Sequence, residues 1–486
     1  MSPETTVAAA PLLPLVGAVL IWLAGRRPNL REGVTLVTAG LLFLAVASLL
    51  PTVLAGGRPA AVWLELLPGL AIAFRVEPLG MLFALVASLL WIPNSVYSIG
   101  YMRAHREEHQ TRFYVCFAVA LACAVGVAFA ANLLTLFLFY EMLTLSTYPL
   151  VTHAGTQAAM RSGRLYLGIL IGTSIGFFLL AILWTYAAAG TLDFRPEGLL
   201  GGVDPGLLPV LLALYVFGIG KAAVMPFHRW LPAAMVAPTP VSALLHAVAV
   251  VKAGVFAVLK VVVYVFGLDL MQAAHPGDWL IWLAAFTILA ASLVALGKDN
   301  LKARLAYSTI SQLSYVVLGA LLATTAGIVG GGMQILMHAF GKITLFFCAG
   351  AIIIATHKEN VSEMRGVGRT MPFTMFAFLL GSLSVIGLPP FGGSWSKWYL
   401  MLGALDAGRL ALVAVLMASS LLNIAYLLPV VVRSYFPGGE AAASPARLAE
   451  APLACVVPAL FTGAACLALF LYPDPFYRLL LQLVAP

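Results

Sequence analysis

Charged residues are scarce in this sequence. Only 9% of its 486 residues are Asp, Glu, Lys or Arg, and 62% are hydrophobic, whereas soluble domains carry about 25% charged residues. So few polar side chains cannot cover the surface of a soluble protein. The composition therefore excludes soluble, disordered and collagen-like classes, and it indicates a polytopic membrane protein.

Signatures of cofactor chemistry are also missing. The five cysteines lie in apolar runs without a CxxC pair, and no phosphate-binding run of the GxGxxG or GxxxxGK[ST] type occurs. We therefore expect no metal, no cofactor and no redox site of its own in this chain. Whether it serves a redox enzyme complex stays open. The net charge of +8 needs no nucleic-acid partner, because membrane topology accounts for it.

Apolar runs of spanning length recur along the whole chain. A membrane-spanning helix needs about 20 mostly apolar residues. Fourteen runs qualify as spans 1 to 14, and they lie at residues 7–24, 33–54, 79–99, 113–130, 132–151, 166–188, 207–225, 240–265, 279–297, 304–323, 329–355, 371–390 continuing to 403, 411–432 and 452–472. Because the connections are short, we predict one all-α membrane domain over residues 1–486. No basic segment precedes the first run, which favours a retained helix over a signal peptide.

The basic residues are distributed unequally between the connections. Those after odd-numbered spans hold seventeen of the 27 Lys and Arg residues, and those after even-numbered spans, with the C-terminal tail, hold five. The positive-inside rule then places the odd loops in the cytoplasm. It predicts both termini on the outer side of a bacterial or archaeal inner membrane.

Five lysines remain inside the apolar runs, together with one glutamate and two histidines. They are Lys221, Lys252, Lys260, Lys342, Lys397, Glu141, His246 and His338. A charge at the bilayer centre costs about 2.5–3.5 kcal/mol on insertion scales, so such residues are usually paired or functional. His338 and Lys342 are four residues apart, which places them on one helix face.

Structural explanations compete with functional ones at these positions. Lys260 lies toward the outer end of its span, where we expect its long side chain to snorkel to the interface. Ion pairs that only hold helices together would explain the lysines in helix bodies, and core packing would explain the two histidines. His246, Lys260 and His228 are therefore secondary candidates.

Two spans are interrupted by helix-breaking residues. The breaks contain Pro226, Pro232, Pro238 and Pro240 in the first span, and Pro389, Pro390, Gly392 and Gly393 in the second. Breaks at membrane depth are tolerated where freed backbone groups face protein or water. Each break lies close to an intramembrane lysine, Lys221 or Lys397, and the order of lysine and proline is reversed between them. This pattern suggests inverted repeats of about five spans each.

A series of buried titratable groups is suited to proton transfer. Water bridges only closely spaced groups, and burial and a nearby carboxylate shift the pKa of a lysine in opposite directions. Glu141 is the one intramembrane carboxylate that the sequence offers as such a partner. A sodium site would need several oxygen ligands, so the sequence favours proton transport over sodium transport within this chain.

Five segments carry a resemblance to a known family. They are FYEMLTLSTYPLV, GIGKAAVMPFHRWLPAAMVAPTPVSALLHAVAVVKAG, KDNLKARLAYSTISQLSY, MHAFGKITLFFCAGA and GLPPFGGSWSKWYL. They resemble the antiporter-like subunits, which comprise the proton-pumping membrane subunits of respiratory complex I, their relatives in membrane-bound hydrogenases, and the A-type and D-type subunits of Mrp-type sodium/proton antiporters. The resemblance runs from about span 3 to span 13.

The resemblance implies fourteen helices, with spans 4–8 and 9–13 as inverted repeats and spans 7 and 12 discontinuous. It divides the membrane domain into residues 1–111 (helices 1–3), 112–266 (first repeat), 277–433 (second repeat) and 450–486 (helix 14 and tail).

The resemblance also implies a proton relay along the chain. Its members are Glu141 as the family's span-5 glutamate, Lys221 as its span-7 lysine, Lys252 as the central lysine of span 8, His338 with Lys342 as the HxxxK pattern of span 11, and Lys397 as the exit-side group of span 12. The M-type complex I subunit has glutamate at the position of Lys397.

The length of the chain and the segment GGSWSKWYLMLGALDAG are most similar to the D-type subunit of Mrp antiporters. We therefore expect a proton-translocating subunit of a multi-subunit membrane complex, with other membrane subunits and the lipid bilayer as partners and with any sodium moving elsewhere in the complex. The alternative is an antiporter-like subunit of a complex I-type NADH-quinone oxidoreductase or of a membrane-bound hydrogenase. A stand-alone secondary transporter and a purely structural subunit are further alternatives.

Overall fold

Long helices make up most of the chain. The computed structural model describes residues 2–436 and 447–484, and within these ranges eleven helices are long and apolar enough to cross a membrane. They are Pro28–Leu54, Pro78–Ala104, Gln110–Phe129, Leu133–Val151, Gln157–Ala189, Thr239–Phe266, Asp278–Gly297, Leu301–Leu322, Thr325–Thr356, Leu410–Tyr435 and Leu453–Leu471. A bent pair, Pro3–Ala9 and Leu12–Leu23, meets the same length and apolarity test only when its two helices are taken together, and they meet at 43°.

Two interrupted helices complete the bundle. Leu208–Gly218 and Pro372–Ile386 have 11 and 15 residues, and at about 1.5 Å per residue neither crosses a hydrocarbon core of about 30 Å alone. The first continues into a 3-10 turn at Gly220–Ala222 and a short helix at Trp230–Ala233, and the second continues into Gly393–Asp406. They occupy the places of the expected spans 7 and 12, and the prediction of a helical membrane bundle is confirmed.

Short helical segments occupy several connections and bulges. Those in connections or beside the breaks are Ala234–Val236, Leu268–Ala274, Val361–Glu363, Val367–Thr370 and Asp474–Leu481. Three π-helical turns lie within spans 6 and 8, and they are Ser174–Phe178, Leu244–Val248 and Val262–Phe266. Such bulges occur frequently at functional sites, and the middle one contains His246.

A β-hairpin between spans 2 and 3 departs from the expected all-helical fold. Its strands, β1 (Ala60–Leu67) and β2 (Leu70–Arg75), pair antiparallel. The sequence pattern does not reveal these strands, because each is too short for a spanning helix and their apolar residues are continuous with the neighbouring runs. The Asn132 amide donates to the Ala71 carbonyl at 2.8 Å, which fastens the hairpin to the start of span 5.

The spans differ greatly in burial. The most apolar window of span 8 is 100% buried and that of span 10 is 94% buried, whereas the windows of spans 2, 6 and 13 are only 33% buried. The central spans therefore pack against protein on all sides, and the peripheral ones present apolar faces to the lipid. Lys252 and Lys260 lie on the fully buried span 8, so their charges need partners within the protein.

The break in span 12 depends on a close approach of its two halves. A Cβ added at Gly393 would lie 1.9 Å from the carbonyl oxygen of Ser384. Gly387, where the first half ends, has φ of +85°, a left-handed conformation that glycine adopts without steric cost. Glycines at these two positions let the second half begin against the end of the first.

We predict that Gly393→Ala destabilises the protein, because the new methyl group would force the backbone at Gly393 away from the Ser384 carbonyl. Overpacking costs about 1–3 kcal/mol even against side chains, so a lower melting temperature of the purified protein in detergent is expected. Gly297→Ala is the matched control, because a Cβ at that position meets nothing within 4 Å. Equal melting temperatures for the two variants would contradict this account of the break.

Candidate functional site

All five intramembrane lysines are buried in the bundle. Four have no exposed surface, and Lys397 is 5% exposed. Four of the ammonium groups donate to backbone carbonyls. These acceptors are the carbonyls of Tyr140 for Lys221, Ala130 for Lys260, Leu305 for Lys342 and Ile386 for Lys397. Charge-assisted hydrogen bonds of this kind offset part of the loss of hydration.

Lys221 lies in the turn that interrupts span 7. Its Nζ donates to the Tyr140 carbonyl at 2.7 Å and to the Thr144 hydroxyl at 2.6 Å, and it lies 3.2 Å from the centre of the Tyr140 ring. Span 8 packs directly on this turn, since a Cβ at Gly254 would approach the Lys221 backbone to 2.4 Å. The helix break thus places an ammonium group between spans 5 and 8.

Glu141 lies on span 5 next to Tyr140 but forms no ion pair with Lys221. Both of its carboxylate oxygens are buried and have no hydrogen-bond partner among the described residues. Its chain neighbour Met142 is 42% exposed and Leu145 is 57% exposed. Glu141 therefore lies near the outer lateral face of the bundle, and the structure does not bring the expected glutamate–lysine pair into direct contact.

Lys252 and His338 join spans 8 and 11 at the centre of the bundle. The Lys252 Nζ lies 2.5 Å from His338 Nδ1, and His338 Nε2 is buried without a partner. A lysine ammonium can only donate, so Nδ1 accepts when Lys252 is charged and the ring then carries its proton on Nε2. A proton can move between these two groups without a bridging water.

Lys342 and Lys397 each use a hydroxyl as well as a carbonyl. Lys342 donates to Ser308 Oγ at 2.6 Å and to the Leu305 carbonyl at 3.2 Å. Lys397 donates to the Ile386 carbonyl at 2.7 Å and to Ser420 Oγ at 2.9 Å. Ile386 ends the first half of span 12, and the last carbonyls of a helix lack intrahelical partners and favour cations.

The two secondary histidines remain apart from these contacts. His246 is fully buried, with both ring nitrogens unpartnered and its ring 4.7 Å from that of Phe346. His228 lies in the interrupted stretch of span 7, with Nδ1 unpartnered and its ring 6.3 Å from that of Tyr307. Unpartnered polar atoms at buried positions indicate sites for ordered water.

The snorkelling expected of Lys260 is wrong. Its side chain is fully buried, its Nζ lies 3.1 Å from Glu77 Oε2, and it donates to the Ala130 carbonyl at 2.6 Å. A cavity of about 280 Å³ beside Glu77 is also lined by Arg75 and Tyr264. Lys260 is enclosed by Glu77 at the start of span 3, by the Ala130 carbonyl and by the ring of Phe194, whose centre lies 4.4 Å from Nζ.

Glu141 is also not the only buried carboxylate. Glu77 and Glu32 are each 4% exposed, and Glu32 binds Arg103 and contacts Arg31. Both acids lie at or just outside the ends of apolar runs, so the hydropathy pattern does not distinguish them from loop residues. The one feature of the sequence that could have indicated their burial is the short distance from each acid to an apolar run, as for Glu77 directly before Pro78.

The described residues contain no group of three or more His, Cys, Asp and Glu side chains placed to hold a metal ion. The site instead consists of lysines and histidines on spans 7, 8, 11 and 12, joined by carbonyls and hydroxyls. A helical bundle with two interrupted spans and a buried series of basic groups defines a class of polytopic ion-translocating membrane subunit.

The comparison with known families agrees with this class. The sequence profile described as NADH:quinone oxidoreductase/Mrp antiporter, TM, matches residues 130–423, which contain every proposed relay residue. The chain therefore belongs to this family of antiporter-like membrane subunits. Subunit N of the NADH-quinone oxidoreductase of Desulforudis audaxviator is 33% identical over 440 residues, which cover 86% of each chain.

Other relatives are longer. Hydrogenase-4 component B of Escherichia coli is 31% identical over 364 residues, and the match covers 71% of this chain but 53% of that protein. The chain thus spans about half the length of several curated relatives that it matches.

Solved structures share the whole fold. A chain of the Mrp complex from Dietzia sp. DQ12-45-1b superposes with a TM-score of 0.88 at 23% identity and covers 100% of this chain and 97% of its own. A chain of the membrane-bound sulfane sulfur reductase, an archaeal respiratory membrane complex, gives a TM-score of 0.85 at 26% identity, with 98% and 96% coverage. The neighbours are multi-subunit membrane complexes, which agrees with the expectation of other membrane subunits as partners.

We predict that Lys260→Met lowers the yield of folded protein, because it leaves Glu77 buried without its counter-charge. Breaking a buried pair in this way costs about 3–5 kcal/mol, whereas replacing both members is often nearly neutral. The double variant Glu77→Gln with Lys260→Met is therefore expected to recover the yield, measured by size-exclusion chromatography in detergent. A double variant as unstable as the single one would show that the ion pair is not what Lys260 contributes.

Proposed function

We propose that the chain is the proton-translocating subunit of a multi-subunit membrane complex, in which buried lysines and histidines pass protons across the bilayer. The observation that carries the proposal is the direct contact of Lys252 with His338 on the most buried span. Two basic groups at 2.5 Å repel each other when both are charged, so a single proton is shared between them.

The remaining relay follows from the order of the spans. Lys221 receives a proton in the break of span 7 and passes it to Lys252 and His338, with water bridging the gap. Lys342, one turn from His338 on span 11, passes it on, and Lys397 discharges it in the break of span 12. The carbonyls and hydroxyls beside these lysines stabilise the ammonium form between successive proton transfers.

Glu141 is suited to communication with a neighbouring subunit. Its unpartnered carboxylate lies beside exposed residues of span 5, where an adjacent membrane subunit would pack. A charge change in that neighbour alters the electrostatic potential at Glu141 and, through it, at Lys221. Glu141 thereby couples proton loading of this chain to the state of the complex.

Inverted repeats over residues 112–266 and 277–433 are part of this proposal. Two parallel arrangements support them. Lys221 of span 7 lies over the ring of Tyr140 on span 5, and Lys397 of span 12 lies 5.1 Å from the ring of Tyr315 on span 10. Spans 5 and 10 hold the same position in the two repeats, as do spans 7 and 12.

Within the family we propose an Mrp-type cation/proton antiporter, with this chain as its D-type subunit. The superposition on a chain of an Mrp complex over the full length of both supports this assignment. The second candidate is a complex I-type subunit, which the relative named subunit N favours. Purifying the tagged chain from its own membranes decides between them, because small multi-span partners support the first and redox-cofactor subunits support the second.

We further propose that the chain lies in the cell inner membrane with both termini outside. The seventeen basic residues on one side and five on the other support this orientation. Sodium, where the complex transports it, crosses through other subunits, because no group of three or more acidic, histidine or cysteine side chains is placed to hold a metal ion in the part of the chain that the structure describes.

We predict that Lys221→Ala abolishes proton transport by the assembled complex, because the relay loses its first ammonium group. A positioned proton-transfer group contributes about 10²–10⁴-fold, so a loss of at least about 10²-fold is expected. The measurement is the pH gradient formed in membrane vesicles after the driving ion or electron donor is added, normalised to assembled complex.

The control is Lys298→Ala, which removes an exposed lysine from the connection after span 9 and is expected to leave transport unchanged. If Lys221→Ala assembles and transports like the control, the relay is wrong. If every relay substitution prevents assembly and none uncouples transport, the chain is a structural subunit.

A further inference from the structure

A second polar series connects Lys342 to Lys397 through Ser308, which already binds Lys342, and through two side chains that the relay does not use. Ser308 Oγ accepts from Lys342 at 2.6 Å and from the Tyr426 hydroxyl at 2.8 Å. Tyr426 also contacts the Asn423 side chain. Ser308, Tyr426 and Asn423 are fully buried, and no sequence motif pointed to Tyr426 or Asn423.

The Asn423 amide completes the connection, and its orientation decides what it can bind. In one orientation, Nδ2 donates to the Tyr426 hydroxyl and, at 3.2 Å, to the Ser419 carbonyl. Oδ1 then accepts from Lys397 Nζ at 3.1 Å and from Gln312 Nε2 at 3.0 Å. In the opposite orientation Nδ2 would face the Lys397 ammonium and Gln312 Nε2, which are both donors, so a charged Lys397 fixes the first orientation. Loss of the proton from Lys397 turns one of these two donors into an acceptor, and a half-turn of the amide then gives a second hydrogen-bond pattern.

We propose that Asn423 and Tyr426 couple the protonation of Lys397 to that of Lys342 by reversing the direction of the hydrogen bonds between them. This inference rests on the proposed function, since it assigns two positioning residues to the last transfer of the relay. The proton itself moves between the two lysines through water, and the amide only turns.

In the first pattern Lys397 is charged. Its ammonium donates to Asn423 Oδ1, and the amide N–H donates to the Tyr426 oxygen. The Tyr426 hydroxyl then donates to Ser308. The Ser308 proton is left free to face Lys342, and a hydroxyl proton is a good partner for the lone pair of a neutral amine. A charged Lys397 therefore favours a neutral Lys342.

In the second pattern Lys397 is neutral. Its lone pair accepts from the amide N–H, so Oδ1 turns to Tyr426 and accepts the hydroxyl proton. The Tyr426 oxygen now accepts from Ser308, whose proton is occupied. Ser308 offers only lone pairs to Lys342, which favours the ammonium form. One proton is thus held by one lysine or the other, and the net charge of the pair stays at one.

The Gln312 contact gives the first pattern an advantage. Turning Asn423 forfeits the bond from Gln312 Nε2, and Gln312 is itself held by Gln334 at 2.7 Å. At rest the amide oxygen therefore faces Lys397. The second pattern forms when Lys397 has released its proton. When the amide turns back to the first pattern, the neutral form of Lys342 and the charged form of Lys397 are favoured, so the next proton moves from Lys342 to Lys397.

Asn423→Asp is the sharpest test, because a carboxylate has the same shape but no N–H to offer Tyr426. It accepts from both neighbours at once and holds Lys397 charged. We expect the complex to assemble and its transport to fall by about 5- to 150-fold, the range typical of coupling between sites. Transport at the wild-type rate in Asn423→Asp would overturn the proposal.

A pair of Ser308 variants separates coupling from packing. Ser308→Thr keeps the hydroxyl and is expected to retain transport, and Ser308→Ala removes it and is expected to lose transport while assembly persists. Tyr426→Phe is expected to behave like Ser308→Ala. The matched control is Tyr215→Phe, since this fully buried tyrosine also has a hydrogen-bonded hydroxyl, at 2.7 Å from the Thr185 hydroxyl, but lies outside the series.

The outcomes also distinguish this inference from the proposed function. If Lys397→Ala abolishes transport and Asn423→Asp, Ser308→Ala and Tyr426→Phe do not, the relay stands and the coupling is wrong. If all of them leave transport intact in an assembled complex, both are wrong. Equal losses in Ser308→Thr and Ser308→Ala would mean that packing, not the hydroxyl, matters at that position.

Discussion

The cost of holding ammonium groups away from water governs much of this architecture. An unpaired charge in hydrocarbon is expensive, and the chain contains five buried lysines with few carboxylates to balance them. Backbone carbonyls supply the missing partners in four of the five cases, at Tyr140, Ala130, Leu305 and Ile386. A carbonyl stabilises an ammonium without fixing its charge, so the proton can leave again.

This constraint explains why two helices are broken. An intact helix uses its carbonyls internally, and a break releases the last of them at membrane depth. Ile386 ends the first half of span 12 and binds Lys397, and Lys221 occupies the turn within span 7. The fold therefore positions the site: the break in span 12 supplies the Ile386 carbonyl as an acceptor, the break in span 7 places Lys221 against span 5, and the fully buried span 8 brings Lys252 to His338.

Local patterns predicted the helical bundle and most of the site. Hydropathy and the clusters of Pro and Gly act over short stretches of chain, so the spans, the two breaks and the relay lysines could be read from the sequence. Tertiary contacts could not be read from the sequence. The pairing of Lys260 with Glu77 and the contacts of Ser308 with Lys342 and Tyr426 join residues that are 34 to 183 positions apart. The hairpin is local, but its strands are too short to stand out from the apolar runs beside them.

The central claim is that protons cross through the buried contact of Lys252 with His338. The most direct test is proton flux in proteoliposomes that contain the whole complex, with Lys252→Met in this chain. The substitution keeps the length and apolar stem of the side chain but removes its proton site. The account predicts an assembled complex without driven proton flux, and flux at the wild-type rate would contradict it.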